Sequence, residues 1–454
     1  MTLKSADITD KFESRRLSIA RWAEWFESRN YLLPLMLLAM GAAWRIWWVH
    51  GHFDTLIKGE AGRVAVAFAR TGAIADPFYP GEGPTTHLSP IAPMINGLIL
   101  RVLGVETAES TWALTLFAIA CCLGAAIILY QAFAIIGVSR RSRLAGLGLA
   151  CLLPLNELIE TDEFRFWEGG LAVLLSASIF WLTVKADRKD ELRFADIVLL
   201  SFLLSLLFFI SLPLGLAGYV NLAVLLLRRA PVRRWAGMIT TAALLLMVVL
   251  APWTIRNYNL FGHFIPLRGN AGLELAVANH PAALNDVNPR GVFRARLAEI
   301  HPDEEPAVFR KMQQEGGEIP YAARLGRETV AWIKQHPADF TRLTIRHLTQ
   351  FFFPPRWLWT VNSKRERGID IRKLITWTTA AFGLAGVLAC LFWWRERMLY
   401  AVAIVTVPAL PYMVLQPILR YRYIILFPLL YLCTEFVHRL WCLSKKRSLP
   451  SSHL

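Results

Sequence analysis

The chain has 454 residues, is 55% hydrophobic and carries 17 Trp and 26 Phe, and its apolar runs recur at lengths that match a bilayer, so it reads as a polytopic membrane protein rather than a soluble one. Its formal net charge of +15 does not point to nucleic acid, because Lys and Arg gather in short loops between apolar runs, which is the positive-inside pattern, and no nucleic-acid motif is present. Cys121, Cys122, Cys151, Cys390, Cys433 and Cys442 lie in or beside apolar runs without paired or ligand-like spacing, which argues against a disulfide framework and a cysteine-based zinc site.

The N-terminal segment, 1–30, is polar and amphipathic, carries Arg15, Arg16 and Arg21, and is expected in the cytoplasm. The apolar run after it contains Arg45 and several Trp and has no small-residue cleavage site, which predicts an uncleaved anchor. Ten spans are predicted, over about 31–49, 111–136, 143–156, 168–184, 197–211, 213–227, 235–252, 373–393, 398–415 and 423–441. The basic clusters Arg140/Arg141/Arg143, Lys185/Arg188/Lys189/Arg193, Arg228/Arg229/Arg233/Arg234, Arg395/Arg397 and Lys445/Lys446/Arg447 should all face the cytoplasm. An even number of crossings must then separate each from the next, and ten spans with both termini inside satisfy this. The run from Ile197 to Leu227 is too long for one span and short for two, yet both flanks are basic, so a tight hairpin is expected near Ser211–Pro213.

The expected fold is therefore an all-α polytopic membrane protein. It divides into the cytoplasmic N-terminus (1–30), a transmembrane catalytic module (31–253) with a first outer loop (50–110), an outer helical loop (254–372), C-terminal spans (373–441) and a cytoplasmic tail (442–454). Within the large outer loop, "HPDEEPAVFRKMQQEGGEIPYAARLGRETVAWIKQHPADF" alternates charged and apolar residues at helical spacing, which predicts a small helical subdomain without the strand pattern of an α/β domain.

The first outer loop holds the first candidate site. Glu60 starts "EAGRVAVAFARTG", an amphipathic helix ending at Gly72, and a carboxylate at a helix N-terminus is held ionised by the partial positive charge there. That suits a base on an acceptor hydroxyl; pairing with Lys58 or Arg63 is the plain alternative. Asp54 could serve as a helix cap, a role that Asp fills often. The prolines of "DPFYPGEGPTTHLSPIAPMINGLILRVLG" force an extended path and then a second juxtamembrane helix, so this loop is expected to roof a cavity; Tyr79 and His87 are candidate acceptor or loop contacts.

A second acidic cluster, Glu157, Glu160, Asp162, Glu163 and Glu168, lies in "NELIETDEFRFWEGG". Two carboxylate clusters on one outer face could supply an acid/base group, bind sugar hydroxyls or bind a divalent cation, against the plain reading of a solvated acidic loop. Arg256, Arg268, Arg420 and Arg422 fall on the same side, against the positive-inside bias; guanidinium suits phosphate oxygens, and snorkelling to headgroups competes with that role. Lys58 is a further candidate cation for a donor phosphate.

On "GEAGRVAVAFARTGAIADPF" followed by "GPTTHLSPIAPMINGLILRVLG", on "RFWEGGLAVLL", on "APWTIRNYNLFGHFIPLRGNAGLELAVAN" and on "RYRYIILFPLLYL", the chain resembles the GT-C class of membrane glycosyltransferases, specifically the bacterial protein-O-mannosyltransferase-like group that includes the lipid A aminoarabinose transferases. The resemblance implies a GT-C-like helical fold in the bacterial inner membrane. It also implies an enzyme that takes a sugar from a polyprenyl-phosphate donor outside the membrane and inverts the anomeric centre in one displacement onto a glycan, lipid or protein acceptor. The family's first-loop acid falls on Glu60, where "KGEAG" has one Glu in place of the acidic pair of many relatives, which leaves open whether Asp54 shares the role. The second-loop acid falls among Glu157, Glu160 and Asp162; Glu168 matches a "WE" element, and Arg256, Arg420 and Arg422 match arginines near the donor phosphate. A divalent cation is left open by the resemblance, since members differ in using one. A secondary transporter and a non-catalytic accessory membrane protein are the competing expectations.

Overall fold

The structure, a computed structural model, describes residues 31–153, 157–361, 368–393 and 398–447. The amphipathic segment expected over 1–30, the pair Arg395/Arg397 and the end of the tail lie outside the described residues.

Helix α1 (Leu32–His50) is the first expected span. Two amphipathic helices follow, α2 (Gly59–Thr71) and α3 (Ile91–Leu103), and then α4 (Ala108–Ile135), which Thr107 caps by accepting from the Ser110 amide. Helix α5 (Arg140–Leu152) stops short of its predicted end because Pro154 disfavours helical backbone before it, and Leu153 is already extended at φ −72°, ψ 122°. The single turn α6 (Glu157–Thr161) leads to α7 (Gly169–Ala186). The expected hairpin is present as α8 (Phe194–Ile210) and α9 (Leu212–Arg229). Its break is one extended residue, Ser211 (φ −142°, ψ 100°), with Pro213 in the first turn of α9, where a missing N–H costs nothing.

Helix α10 (Val232–Phe261) runs through Pro252 and ends on Gly262 in the left-handed region. The large outer loop is helical, as its spacing predicts: α11 (Ala271–Ala278), α12 (Pro289–Ile300), α13 (Pro306–Gln314), α14 (Glu318–Gln335), α15 (Pro337–Phe352) and the turn α16 (Arg356–Thr360). The chain closes with α17 (Ile369–Trp393), α18 (Leu399–Thr406), the short α19 (Leu419–Tyr423) and α20 (Leu426–Arg447). After α18, Pro408 and Pro411 convert the helix to 3-10 turns that reach Met413. The tail expected from 442 begins as a continuation of α20.

All ten expected spans are thus helices. Helices α1, α4, α7, α9, α10, α17 and α20 are long and apolar enough to cross a membrane; α5, α8 and the α18 run are shorter. The main core joins α4, α5, α7, α8, α9, α18 and α20 around Phe133, Phe180, Tyr400, Phe427 and Tyr431. Helix α10 packs chiefly on α8 and leaves Ile239, Leu244, Met247 and Val248 exposed, an apolar face suited to lipid. In the outer subdomain, Ile300, Met312, Tyr321 and Leu325 form a separate core that also takes in Phe78 of the first outer loop. The two outer loops therefore share one hydrophobic centre, which fixes the first loop over the bundle.

Candidate active site

Helix α2 begins at Gly59, whose positive φ of 76° turns the chain sharply enough to set Glu60 in the first helical turn. Val64, Ala65, Ala67 and Ala69 bury the other side of α2. Glu60 does not take the partners that local spacing offers. Lys58 pairs with Asp54 at 2.6 Å, and Arg63 pairs with Asp303 and donates to the Pro77 carbonyl at 2.6 Å. Glu60 instead faces two imidazoles: His87 Nε2 lies 3.1 Å from its Oε2, and His301 Nε2 lies 3.5 Å from its Oε1.

His87 is 2% exposed, its amide donates to Thr85 Oγ1 at 2.9 Å, and its ring meets Phe78 edge-on. Burial alone would lower its basicity, but the Glu60 carboxylate outweighs this and pushes the imidazolium up to about 9. Burial alone would likewise raise Glu60, but His87, then His301 and Arg420, hold its carboxyl well below the usual range. Among the described residues Glu60 Oε1 accepts no hydrogen bond and has only the His301 imidazole at 3.5 Å, so this oxygen of a half-buried carboxylate keeps acceptor capacity for a ligand. One carboxylate oxygen and two imidazole nitrogens lie within 4.8 Å of one another here, a donor set that fits a divalent transition metal.

The segment around His87 is held from the outer subdomain. Glu318 accepts from the hydroxyls of Thr85 and Thr86 at 2.6 and 2.7 Å, and the Gly269 amide donates to the Thr86 carbonyl at 3.0 Å. Arg256 belongs to this scaffold: its guanidinium donates to the carbonyls of Thr85 and Ile74 at 2.8 Å and lies over Trp253. Those contacts use the donors that the sequence offered to a phosphate. Tyr79 packs its ring on Phe309 and is also a loop anchor.

A cavity of about 610 Å³ opens beside the Glu60 cluster, with Trp48, Asp54, Glu163, Trp359, Arg372 and Arg420 on its wall. Glu60 does not line it. Arg420 links the two: it lines the cavity, its charge acts on Glu60, and it lies 3.7 Å from Glu163 while stacking over Trp167 and Tyr421 at 5.3 Å each. Burial, only partly offset by Arg420, raises the Glu163 carboxyl above its ordinary value.

The second acidic cluster does not act as one group. Glu160 is 1% exposed and locked to Arg45, with the Tyr423 hydroxyl donating to it at 2.6 Å, so it ties α1 to the bundle. Asp162 pairs with Arg165 at the cavity wall, and Glu168 pairs with Arg268. Glu157 starts α6, and its side chain lies outside the described residues. Glu163 is the acid of the cluster that faces the cavity beside Arg420. Arg422 is 5% exposed, donates weakly to the Thr376 carbonyl at 3.4 Å and does not line the cavity. Asp54 sits on the rim, and its carboxylate accepts from the Leu56 amide at 2.9 Å; it is not an N-cap, and Glu60 is not among its partners. Sequence reasoning passed over His301, whose only local signal was its place at the head of "HPDEE".

No family model matches the sequence, and no curated protein matches it. Among solved structures, the archaeal oligosaccharyltransferase AglB from Archaeoglobus fulgidus, in complex with an inhibitory peptide and a dolichol-phosphate, is similar with a TM-score of 0.51 and 14% identity, over 95% of this chain and 53% of that chain. The oligosaccharyltransferase of the same organism in its apo form gives a TM-score of 0.46 and 13% identity, over 94% of this chain and 52% of that chain. This chain therefore spans about half the length of the solved structures it matches. The first likeness shows a shared fold, that of an all-α polytopic membrane protein.

Proposed function

We propose that the chain is an inverting glycosyltransferase of the bacterial inner membrane, which moves a sugar from a polyprenyl-phosphate donor to an acceptor hydroxyl on the outer face. The observation that carries this reading is Arg420, which lines a cavity of largely apolar walls and whose charge acts on the half-buried Glu60 carboxylate, one oxygen of which accepts no hydrogen bond among the described residues. The AglB structure, which holds a dolichol-phosphate, supports a lipid-linked donor on this fold. The protein-O-mannosyltransferase-like group is the subgroup we assign.

In the reaction, the acceptor hydroxyl hydrogen-bonds to the Glu60 carboxylate, its oxygen attacks the anomeric carbon, and its proton passes to that carboxylate. The bond from that carbon to the phosphate oxygen breaks, and polyprenyl phosphate leaves with the electron pair. Arg420 neutralises the charge that grows on the departing phosphate. A carboxylate held this acidic is a weak base, which suits a transition state in which the sugar carries the positive charge and the hydroxyl gives up its proton late. His87 keeps Glu60 ionised and oriented. The free Oε1 and the two imidazoles fit a divalent cation held by Glu60, His87 and His301. Such an ion, bound in place of the His87 proton, would supply positive charge beside the Glu60 carboxylate.

The test is transfer or hydrolysis of radiolabelled polyprenyl-phosphate sugars by purified protein with a lipid extract as acceptor source. Glu60→Gln should fold in detergent with unchanged elution and lose turnover by about 100-fold or more. Wild-type turnover in this variant removes Glu60 from the reaction.

A further inference from the structure

One charge on the cavity wall has no use in the chemistry above. Of its three arginines among the described residues, Arg165 is paired with Asp162 and donates to the Asp54 carbonyl at 2.9 Å, and Arg420 lies beside Glu163. The third, Arg372, sits in the first turn of α17, half-buried, and among the described residues its guanidinium has no carboxylate, carbonyl or ring partner. The acid nearest in sequence, Asp370, is taken by Arg356 at 3.0 Å and Lys373 at 3.5 Å. A guanidinium drawn halfway out of water without a counter-charge is unfavourable unless an anion joins it. The cavity's three carboxylates among the described residues, Asp54, Asp162 and Glu163, each have a basic partner in Lys58, Arg165 and Arg420, and the same cavity is lined by the apolar Leu358, Trp359, Val361 and Ile369 with Trp48 and Phe53. An anion that belongs here is the head of an amphiphile whose chain runs along those side chains.

We propose that Arg372 is a second phosphate contact of this cavity, which with Arg420 grips the phosphate of a polyprenyl-linked donor from two separate helices, α17 and α19. The inference rests on the glycosyltransferase reading and adds a residue that neither spacing nor resemblance singled out. Two helices that hold one phosphate also tie donor binding to the position of α17 in the bundle. The phosphate of an ordinary phospholipid headgroup has the same chemistry, and the experiment separates the two sources.

Purified full-length protein in nanodiscs of zwitterionic lipid is titrated with radiolabelled polyprenyl phosphate and, separately, with the unphosphorylated polyprenol. Wild type should prefer the phosphate, Arg372→Ala should bind it about ten-fold more weakly or worse, and the polyprenol should bind both alike. Arg372→Lys should recover part of the loss, since it restores the charge without the two-pronged donor, and it guards against a folding defect in the alanine variant. Unchanged affinity in Arg372→Ala, with a loss in Arg420→Ala, overturns this inference and leaves the functional reading standing. Absence of any phosphate preference in wild type overturns both. If nanodiscs containing anionic phospholipid abolish the difference between wild type and Arg372→Ala, the residue serves headgroups and the inference is wrong.

Discussion

Glu60 was legible because a lone acid at the head of an amphipathic helix is an unusual place to leave a charge. Its partners were not. His87 looked like an ordinary loop histidine, and His301 lies in another outer segment, so only the folded loops bring both imidazoles onto one carboxylate. The arginines divide in the same way. Arg256 and Arg420 have similar sequence settings, yet one is spent on carbonyls of the first outer loop and the other reaches the cavity. The Glu60–His87–His301 trio makes a pH-dependent prediction for a metal. A cation can bind His87 only after displacing a proton that the fold holds up to about pH 9. Proton and metal compete for one nitrogen, so apparent affinity should climb about ten-fold per pH unit through neutrality and level off near the His87 value. Calorimetric titration of the purified protein with zinc across this range measures it, and His301→Ala should weaken binding at every pH. Binding that ignores pH, or survives loss of His301, refutes this ligand set.

The ends of the helices were mostly readable, because prolines and glycines act locally: Ser211–Pro213 turned the hairpin where expected, and Gly72 ended α2 in the left-handed region. Helix α5 ends earlier than the apolar run suggests, because the residue before Pro154 is disfavoured from helical backbone and Leu153 is already extended. Invisible in the sequence was how close α2 and α3 lie. A Cβ at Gly97 of α3 would stand 2.8 Å from the Ala65 carbonyl oxygen and 2.7 Å from Phe68 Cδ1, so the two helices meet backbone to side chain only because position 97 has no side chain. Helix α2 carries Glu60 in its first turn, and anything that pushes the pair apart shifts the carboxylate against His87. Gly97→Ala should therefore cost about 1–3 kcal/mol of stability and lower transfer activity as well. Gly237→Ala, where nothing lies within 4 Å, is the control and should be neutral or stabilising by up to about 1 kcal/mol. Thermal unfolding in detergent compares the two; an unshifted midpoint for Gly97→Ala means that the helices can part without strain.

The arrangement of the loops gives the charge-parity argument a physical basis. The basic loops predicted to face the cytoplasm meet at one end of the bundle: Arg228 pairs with Asp187 at 3.2 Å, Arg188 donates to the Ile135 carbonyl, Arg229 donates to the Lys189 carbonyl, and Glu435 accepts from the Ser139 amide at 3.2 Å. The first outer loop, the second acidic segment, the helical subdomain and the segment before α20 meet at the other end around Glu60, Glu163 and Arg420. Alternating crossings would sort the loops this way, with the three short helices counted among the crossings. The positive-inside rule predicts that the end carrying the short Lys/Arg-rich loops is the cytoplasmic one. In a Cys442→Ser background, which removes the exposed native thiol, Val287→Cys on the 95% exposed tip of the outer subdomain should react with a membrane-impermeant maleimide in intact cells. Glu191→Cys, in the loop between α7 and α8, should react only after permeabilisation. The reverse pattern would invert the molecule and put Glu60 on the cytoplasmic side, where a donor presented to the outer face could not reach it; labelling of both sites from one side would break the alternation of crossings itself.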